Sequence, residues 1–502
     1  YIHLIEKYIR EGKQVLYLLP EIALTTQITE RLQRVFSDEM GVYHSKFSDK
    51  VRFEVYQRQS SSNPYKLILG VRSSIFMPFQ NLGLVIVDEE HDGSYKQQEP
   101  APRYHARNAA MMLAKMYGAK TLLGTATPSF ETYHYAKKGR YGYVELTERY
   151  LGLQLPAVTV VDIKDQRKRK LMNGAFSSVL IQAMHEALDR HQQVILFQNR
   201  RGYSSFIECR QCGWVPRCPH CDVSLTFHKK TKMLTCHYCG YATRPPEKCP
   251  NCEEKTFTDV GLGTEKVEDQ IHGIFPQATT LRMDLDTAKT KNQYEQIIGS
   301  FSNHEADILI GTQMVTKGLD FSDVSVVGVL NADTMLNQPD FRSYERSFQT
   351  LSQVAGRAER KHEAGQVILQ TKNADADIVR QIARNDYWGM FYQQMTERKD
   401  FNYPPFQRLI YVYLRHRDND LLEHIAIEMA DHLRKSFGER ILGPDCPPVG
   451  RIQSLHIRKI ILKVEPTLST EKVRRVLIEE KQRILAQPIC RNINIYFDVD
   501  PC

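Results

Sequence analysis

The feature that most constrains the fold is a series of short, nearly uninterrupted apolar runs separated by helical stretches. In the first 145 residues these runs are VLYLLP (15–20), YKLILG (65–70), LGLVIVDEE (82–90) and TLLGTATPS (121–129). Strands that are apolar on both faces are typical of parallel sheets covered by helices on each side. The alternation of such strands with helical stretches predicts an α/β unit.

A second series of the same kind follows, and a cysteine-rich segment interrupts it. Its runs are QVILFQNRRG (193–202), ATTLRMD (278–284), ADILIGTQ (306–313), VSVVGVLNAD (324–333) and GQVILQT (365–371). Residues 149–174 form a looser segment, and its charge run RKRK (167–170) is interpreted as a solvated linker. From residue 403 onward, three strands alternate with two helical stretches, which predicts a small α+β domain.

These patterns divide the chain into four predicted regions. A first α/β lobe occupies residues 1–148, and a second lobe occupies residues 149–206 and 258–390. The cysteine-rich insertion covers residues 207–257, and the α+β domain covers residues 391–502.

Charge and hydropathy exclude little beyond a membrane protein. The net charge of +8, from 67 basic and 59 acidic residues, is too mild to establish nucleic-acid binding. No apolar run approaches the roughly 18 residues of a membrane helix, and the first residues do not form a signal peptide. We therefore expect a cytoplasmic protein without a membrane segment.

An acidic cluster stands at the end of one predicted buried strand. Asp88 and Glu89 directly follow LVIV (84–87), and ligands of open α/β sheets bind beyond the carboxyl ends of strands. Adjacent carboxylates repel unless a cation or a proton is present. Asp88 is therefore a candidate for holding Mg²⁺, and Glu89 for orienting a water that attacks a γ-phosphate. The alternative is an ordinary acidic surface turn.

The loop after these acids, residues 93–107, combines aromatic and basic side chains. Three of them can stack on bases, namely Tyr95, Tyr104 and His105. Three others can hold phosphates, namely Lys96, Arg103 and Arg107. This composition predicts a nucleic-acid contact next to the acidic cluster, and the alternative is a loop whose tyrosines pack on the lobe.

Eight of the 11 cysteines form four CxxC pairs. The pairs are Cys209/Cys212, Cys218/Cys221, Cys236/Cys239 and Cys249/Cys252. CxxC spacing lets two thiolates take adjacent corners of a tetrahedron, so eight thiolates predict two closed, structural Zn²⁺ sites. The spacing favours a nested arrangement in which the two middle pairs share one ion and the two outer pairs share the other. Sequential pairing remains open.

Five strings in the two lobes resemble the motifs of superfamily-2 helicases and occur in that family's order. They are LLPEIALTTQ (18–27), DEEH (88–91), GTATPS (124–129), GTQMVTKGLDF (311–321) and QVAGRAER (353–360). With the cysteine block and the tail strings LGPDCPP (442–448) and FDVDP (497–501), they resemble the bacterial replication-restart helicases of the primosomal protein N′ family. The resemblance covers essentially the whole chain, and the family also shows the nested zinc arrangement.

The resemblance implies two RecA-like lobes that hold ATP with Mg²⁺ in the cleft between them. It implies catalytic roles for Asp88, Glu89 and His91 and for Arg357 and Arg360, with Arg360 as the arginine finger. Arg357 and Arg360 are three residues apart and share a face if they lie on a helix. Nucleotide contacts are implied for Gly311, Asp320 and Gln353, and a position near DNA for Arg72.

The resemblance further implies an ATP-dependent 3′→5′ DNA helicase that acts as a monomer. Such a helicase recognises stalled or repaired replication forks and initiates primosome assembly. Its implied partners are fork and single-stranded DNA, single-stranded-DNA-binding protein and other primosome proteins. The aromatic loop of the family couples single-stranded DNA binding to hydrolysis.

The chain departs from the family pattern in three places. Glu359 stands where the family usually has glycine, and Val71 where it usually has threonine. The sequence contains no GxxxxGK[ST] phosphate loop, which the family carries just before the first helix. We therefore expect a fragment that begins after this loop and hydrolyses ATP negligibly. Two alternatives remain, a zinc-dependent DNA or protein scaffold and another nucleic-acid translocase of the superfamily.

Overall fold

The computed structural model describes most of the chain. Outside the description lie residues 21–25, 46, 149–151, 153–154, 200–205, 210, 213, 229–231, 237, 261–262, 285, 289, 317–320, 322, 359–364 and 502. Parts of three helicase-like strings fall there, including the predicted site residues Asp320 and Arg360. Among the described helices, none has the length and apolar character needed to cross a bilayer.

The first lobe is a five-stranded parallel sheet with the order β2-β3-β1-β4-β5. Its elements are α1 (Ile2–Arg10), β1 (Gln14–Leu18), α2 (Thr26–Phe36), β2 (Met40–Tyr43), α3 (Asp49–Gln59), β3 (Leu67–Gly70), β4 (Leu82–Asp88), α4 (Ala106–Tyr117), β5 (Lys120–Gly124) and α5 (Phe130–Lys137). Strands β1 and β3 are buried along their whole length, as their apolar runs predict.

The second lobe is a six-stranded parallel sheet with the order β15-β16-β9-β17-β18-β6. Before the cysteine segment it contains β6 (Ala157–Asp162), α6 (Ile163–Lys168), β7 (Met172–Asn173), β8 (Phe176–Ser177), α7 (Ser178–Asp189) and β9 (Gln193–Phe197). The charge run RKRK (167–170) is exposed but is not wholly a linker, because its first two residues end α6. Strand β6, in the same looser segment, forms the edge of the sheet against β18. Its half-buried side chains lack the fully apolar pattern of the central strands.

The cysteine-rich insertion leaves the second lobe after β9. It consists of β10 (Phe206–Cys209), β11 (Thr226–His228), β12 (Met233–Thr235), β13 (Ala242–Thr243) and β14 (Phe257–Val260). Strands β10 and β14 pair antiparallel, and β11, β12 and β13 form a small antiparallel sheet. The insertion thus leaves and re-enters the lobe through one two-stranded stalk.

The second lobe then continues to residue 400. Its remaining elements are α8 (Thr264–Ile274), β15 (Thr280–Met283), α9 (Lys291–Ser302), β16 (Ile308–Gly311), β17 (Val324–Val329), α10 (Asp333–Leu336), α11 (Ser343–Ala355), β18 (Gln366–Thr371), α12 (Asp377–Ala383) and α13 (Tyr387–Asp400). The buried aromatic residues Phe130 and Tyr133 of α5 belong to the apolar core of this second lobe. Helix α5 therefore packs against the second lobe although its residues precede the predicted boundary at residue 148.

The C-terminal domain is an antiparallel sheet with two helices on one face. Its elements are β19 (Arg408–His416), α14 (Asn419–Phe437), β20 (Ile441–Asp445), β21 (Arg451–Ile452), β22 (Leu455–Val464), α15 (Thr470–Leu485) and β23 (Asn494–Val499), in the sheet order β20-β22-β19-β23. Alternate residues of β19, such as Val412 and Leu414, pack against the helices. The sequence predicted three of these strands and missed β20 and β21, which are short and include Pro444.

The predicted fold class is confirmed: two parallel-sheet lobes, a cysteine-rich insertion in the second, and a small α+β domain.

Candidate functional site

The carboxylate of Asp88 ends strand β4 and is held by two tyrosine hydroxyls. Tyr1 donates to Oδ1 at 2.9 Å, and Tyr17 donates to Oδ2 at 3.2 Å. Burial, followed by the charge of Asp88, raises the pKa of both hydroxyls, so they remain donors. Strand β5 leaves room for this arrangement because Gly124 lacks a side chain; a Cβ there would lie 1.7 Å from the Tyr1 hydroxyl.

The next two acids point in different directions. Glu89 has a left-handed backbone, with φ of 47°, a conformation that is costly for a residue with a Cβ and is concentrated at functional sites. Its carboxylate lies 3.5 Å from His91 Nδ1. Glu90 is fully buried, and its backbone N–H donates to the Gly124 carbonyl. The three consecutive acids therefore do not form one cluster.

Glu90 ties the acidic strand end to the start of α5. Its carboxylate accepts hydrogen bonds from the Ser129 backbone and hydroxyl at 2.7 and 3.0 Å and from the Thr132 hydroxyl at 2.9 Å. It also forms an ion pair with Arg107 of α4. Sequence reasoning gave Glu90 no role. Strand alternation carried no signal for one, because β4 ends at Asp88 and Glu89 and Glu90 lie in the turn that follows.

His91 spans the cleft between the lobes. Its Nδ1 lies 2.8 Å from the Thr125 hydroxyl in the first lobe, and its Nε2 lies 3.3 Å from the amide nitrogen of Gln353 in the second. These two contacts fit the neutral ring with its proton on Nδ1, which donates to Thr125 while Nε2 accepts from Gln353. The predicted relay residue therefore lies at one of the contacts between the two lobes.

The other residues assigned to nucleotide chemistry lie in the second lobe. Arg357 follows α11 and acts electrostatically on the half-buried Tyr294. Burial raises the pKa of the Tyr294 hydroxyl to about 12, and the positive charge of Arg357 opposes this rise. Gly311 ends β16, where a Cβ would lie 2.1 Å from Val315. Close packing alone thus requires glycine at residue 311.

A buried group of charges joins the lobes below this point. Glu131 of α5 pairs with Arg342 and with Arg398 of α13, the latter at 3.3 Å. Arg398 also pairs with Glu345 of α11 at 2.6 Å, and Glu345 accepts the Phe130 N–H at 2.8 Å. The segment after β5 is therefore fixed to both lobes at once. A cavity of about 780 Å³ adjoins it, bounded by α4, α11 and the start of the C-terminal domain.

The loop predicted to bind nucleic acid is largely engaged within the protein, which corrects several residue assignments. Tyr95 is 1% exposed, and its hydroxyl donates to the carbonyls of Leu18 and Asp88, so its ring belongs to the lobe's core and is not available for stacking. Arg107 neutralises the buried Glu90. Arg72 donates to loop carbonyls of Ser94 and Lys96 at 3.0 and 3.3 Å.

The remaining loop residues are half-buried or buried. Tyr104 is half-buried and lies edge-on to the exposed ring of Phe76, with centroids 5.1 Å apart. His105 is largely buried, and burial followed by the charge of Arg107 holds its pKa well below the usual range. Lys96 and Arg103 contact the C-terminal domain. Among the predicted stacking residues, Tyr104 is therefore the best placed, with Phe76 as an aromatic neighbour that the sequence did not single out.

The cysteines form two closed tetrads. We call Cys209, Cys212, Cys249 and Cys252 the outer site, and Cys218, Cys221, Cys236 and Cys239 the inner site; the ligand atoms of each lie within 4.8 Å of one another. Sulfur pairs stand 3.4 to 3.6 Å apart, close to the edge of a tetrahedron with Zn–S bonds of about 2.3 Å. The nested arrangement is confirmed, and four thiolates leave no open position for catalysis.

A hairpin of the C-terminal domain touches the inner site. The Gln453 N–H donates to Cys221 Sγ at 3.2 Å, and the Ser454 N–H donates to the His220 carbonyl at 2.7 Å. Both turn residues have positive φ, 51° and 62°. Such N–H groups stabilise a metal-bound thiolate from outside the ligand shell. Among the residues that the structure describes, a donor from the C-terminal domain thus supports the inner site and not the outer one.

Four family models match the chain in order. A DEAD/DEAH box helicase model matches residues 1–135, and a helicase conserved C-terminal domain model matches residues 266–362. Between them, a model described as the PriA DNA helicase Cys-rich region matches residues 218–244. A model of the primosomal protein N C-terminal domain matches residues 399–502.

Curated relatives cover almost the whole chain. The replication restart protein PriA of Rickettsia conorii is 37% identical over 94% of the chain and 72% of its own length. The chain belongs to the PriA family. The PriA proteins of Bacillus subtilis and Synechocystis are 38% and 37% identical over 100% and 95% of the chain. The chain spans only 62% and 59% of the length of these two PriA relatives.

Solved helicase structures show weaker likeness to this PriA-family chain. The structure of RecG bound to a three-way DNA junction has a TM-score of 0.44 at 14% identity, covering 78% of the chain and 41% of RecG. Dbp5 of S. cerevisiae bound to RNA and ADP BeF3 has a TM-score of 0.40 at 15% identity, covering 75% of each chain. Likeness of this strength adds nothing to the family assignment.

Proposed function

We propose that the protein to which this chain belongs is an ATP-dependent 3′→5′ DNA helicase of replication restart. It recognises stalled or repaired forks and initiates primosome assembly. The observation that carries the proposal is the contact of His91 with Gln353, because it brings the acidic strand end of one lobe against the end of α11, which leads directly to Arg357 in the other. Membership in the PriA family supports the restart role.

The residues present fit ATP with Mg²⁺ at this cleft. Bound Mg²⁺·ATP supplies the phosphoanhydride bond whose cleavage drives movement. Asp88 is the group for the metal, since two hydroxyl donors fix its orientation. Glu89 is the general base that orients the attacking water, and His91 relays the state of the site to Gln353. Arg357, and Arg360 outside the described residues, supply positive charge from the second lobe, as Gly311 and Asp320 complete the nucleotide contacts.

Unwinding by the complete gene product tests this function. Fork DNA carrying a 3′ single-stranded tail is expected to be unwound with ATP, and a 5′-tailed fork is not. Glu89→Gln should abolish ATP hydrolysis and leave DNA binding intact, while Glu465→Gln, a surface change in the C-terminal domain, should leave both unchanged. Preference for RNA duplexes would instead favour another translocase of the superfamily. DNA binding without any ATPase activity would favour a scaffold.

We also propose that the 502-residue chain itself hydrolyses ATP negligibly, since its sequence has no phosphate loop. DNA-stimulated phosphate release above the level of its own Glu89→Gln variant would contradict this.

The proposed partners are fork and single-stranded DNA, single-stranded-DNA-binding protein and other primosome proteins, with two structural Zn²⁺ ions as permanent cofactors. The protein is proposed to act as a monomer in the cytoplasm, with the domain division given by the sequence. Tyr104 remains the proposed base-stacking residue of the loop. Tyr104→Ala in the complete protein should reduce the stimulation of ATPase by single-stranded DNA, whereas unchanged stimulation would count against the loop.

A further inference from the structure

The last strand of the C-terminal domain clasps the loop of residues 93–107. The Lys96 ammonium lies 2.8 Å from the Asp498 carboxylate, and the two side chains are 1% and 7% exposed. The ammonium also donates to the carbonyls of Val499 at 2.6 Å and Arg103 at 3.1 Å. An ammonium buried without a counterion is strongly unfavourable, so Asp498 is what makes this position of Lys96 tolerable.

A second cation of the loop is held by the same strand. The guanidinium of Arg103 lies over the ring of Tyr496, 4.0 Å from its centroid. The Tyr496 ring also stacks on Tyr413 of the neighbouring strand, with centroids 5.1 Å apart. Strand β23 thus presents a carboxylate and an aromatic face to two loop cations. A phosphate and a base would present the same pair of features.

The clasped loop is connected directly to the acidic strand end. Tyr95, which precedes Lys96, donates its hydroxyl to the Asp88 carbonyl at 2.7 Å. Arg72 donates to the carbonyls on both sides of Tyr95. Displacement of Lys96 from strand β23 would therefore pull on the backbone that carries Asp88.

We propose that strand β23 is an intramolecular competitor of single-stranded nucleic acid for Lys96 and Arg103. In the clasped state Asp498 occupies the site of a phosphate and Tyr496 the site of a base. Nucleic acid engages the loop by replacing both, which releases the C-terminal domain from it. The ligand class rests on the proposed function, whereas the clasp rests on the contacts above.

The test compares Asp498→Asn with wild type and with a matched control on the same strand end. Asp500→Asn is the control, because Asp500 pairs with Arg408 within the C-terminal domain. Binding of a fluorescently labelled oligo-dT to the 502-residue chain is followed by anisotropy at several salt concentrations. Asp498→Asn should bind about fivefold tighter or more, the factor for about 1 kcal/mol, and Asp500→Asn should match wild type. Tryptic cleavage after Arg103 without DNA should accelerate only in Asp498→Asn.

A second variant keeps the test decisive if Asp498→Asn fails to fold. Tyr496→Leu retains an apolar side chain but removes the ring beneath Arg103, and the same tighter binding is expected. Unchanged or weaker binding by both folded variants overturns the competition, and so does the absence of oligonucleotide binding by every variant. Unwinding by the complete gene product, measured separately, shows whether the proposed function fails along with it.

Discussion

Replacing Glu131 by glutamine should loosen the joint between the two lobes. The Glu131 side chain is 15% exposed and lies between the guanidinium groups of Arg342 and Arg398, whose side chains are 13% and 2% exposed. Glutamine keeps the size and one acceptor oxygen but removes the negative charge. Two buried cations then share the single remaining acid, Glu345, so the segment that joins the lobes should lose much of its electrostatic support.

The magnitude follows from two routes that agree. Burial alone raises the pKa of the Glu131 carboxyl, but Arg342 and Arg398 outweigh it and lower the pKa from 4.5 to about 2. That difference corresponds to about 3 kcal/mol of stability at neutral pH. Removing one partner from a buried ion pair costs about 3–5 kcal/mol in other proteins. We expect a loss near the lower figure, because the amide retains a hydrogen bond.

The depressed pKa also fixes the pH dependence. The stabilisation is present above the unfolded pKa near 4.5 and is lost as the pH falls towards 2. The difference between wild type and Glu131→Gln should therefore be the same at pH 8 and pH 6. It should be about 1 kcal/mol smaller at pH 4.

Urea unfolding followed by tryptophan fluorescence measures this difference at the joint itself. Trp388 packs on Tyr133 with ring centroids 4.6 Å apart, and the only other tryptophan, Trp214, can be replaced by phenylalanine in every variant. Glu465→Gln, which breaks an exposed pair in the C-terminal domain, should leave the transition of Trp388 unchanged. A loss below about 1 kcal/mol for Glu131→Gln, or a loss that grows as the pH falls, would contradict the electrostatic role of Glu131 at the joint.

Three further outcomes follow from the other buried groups. Release of zinc to a chromogenic chelator should be biphasic, with one phase for each site. Gln453→Val places a β-branched residue at a φ of 51° and should accelerate the phase of the inner site only. Equal acceleration of both phases would contradict the role of the hairpin. Glu90→Gln should lower the free energy of unfolding of the first lobe by about 3–5 kcal/mol in urea, because the buried guanidinium of Arg107 loses its counterion, and a loss under about 1 kcal/mol would contradict this. His105 is buried in its neutral form, so the free energy of unfolding should fall as the pH drops below about 6.5, by up to about 1.4 kcal/mol per pH unit. His105→Gln should flatten that slope in urea titrations at pH 5 to 7.

The parallel sheets could be predicted from the sequence because their cause is local. A strand such as Val15–Leu18 is apolar at every position, and only a sheet covered on both faces buries all of it. Edge strands carry a weaker signal, since one side of each lacks a neighbour. Strand β6 has half-buried side chains, and the sequence did not predict it as a strand for this reason. The CxxC pairs were also a local signal, because this spacing lets the two thiolates of a pair share an ion. Which pairs combine was not fixed by it, and the structure shows the nested arrangement.

The roles of individual charged residues could not be predicted in the same way. Lys96 has the composition of a phosphate contact, yet its counterion is Asp498, which is 402 positions away in the sequence. Arg107 likewise serves Glu90. A cation in a loop indicates that an anion is needed nearby, and the sequence does not say whether protein or nucleic acid provides it. Where a buried carboxylate of the protein is the counterion, as for Lys96 and Arg107, the cation has a structural role before any role in binding.

The C-terminal domain contacts two sites whose other residues lie in the first lobe and in the cysteine-rich insertion. Its sheet reaches the loop through Asp498, and its hairpin reaches the inner zinc site through Gln453. The first contact lies on β23, and the second lies on the turn between β21 and β22 of the same sheet. If the sheet moves as one body, a movement that breaks the first contact strains the second unless the cysteine-rich insertion moves as well. Under the proposal that nucleic acid displaces β23, its engagement with the loop is therefore expected to be coupled to the position of this insertion.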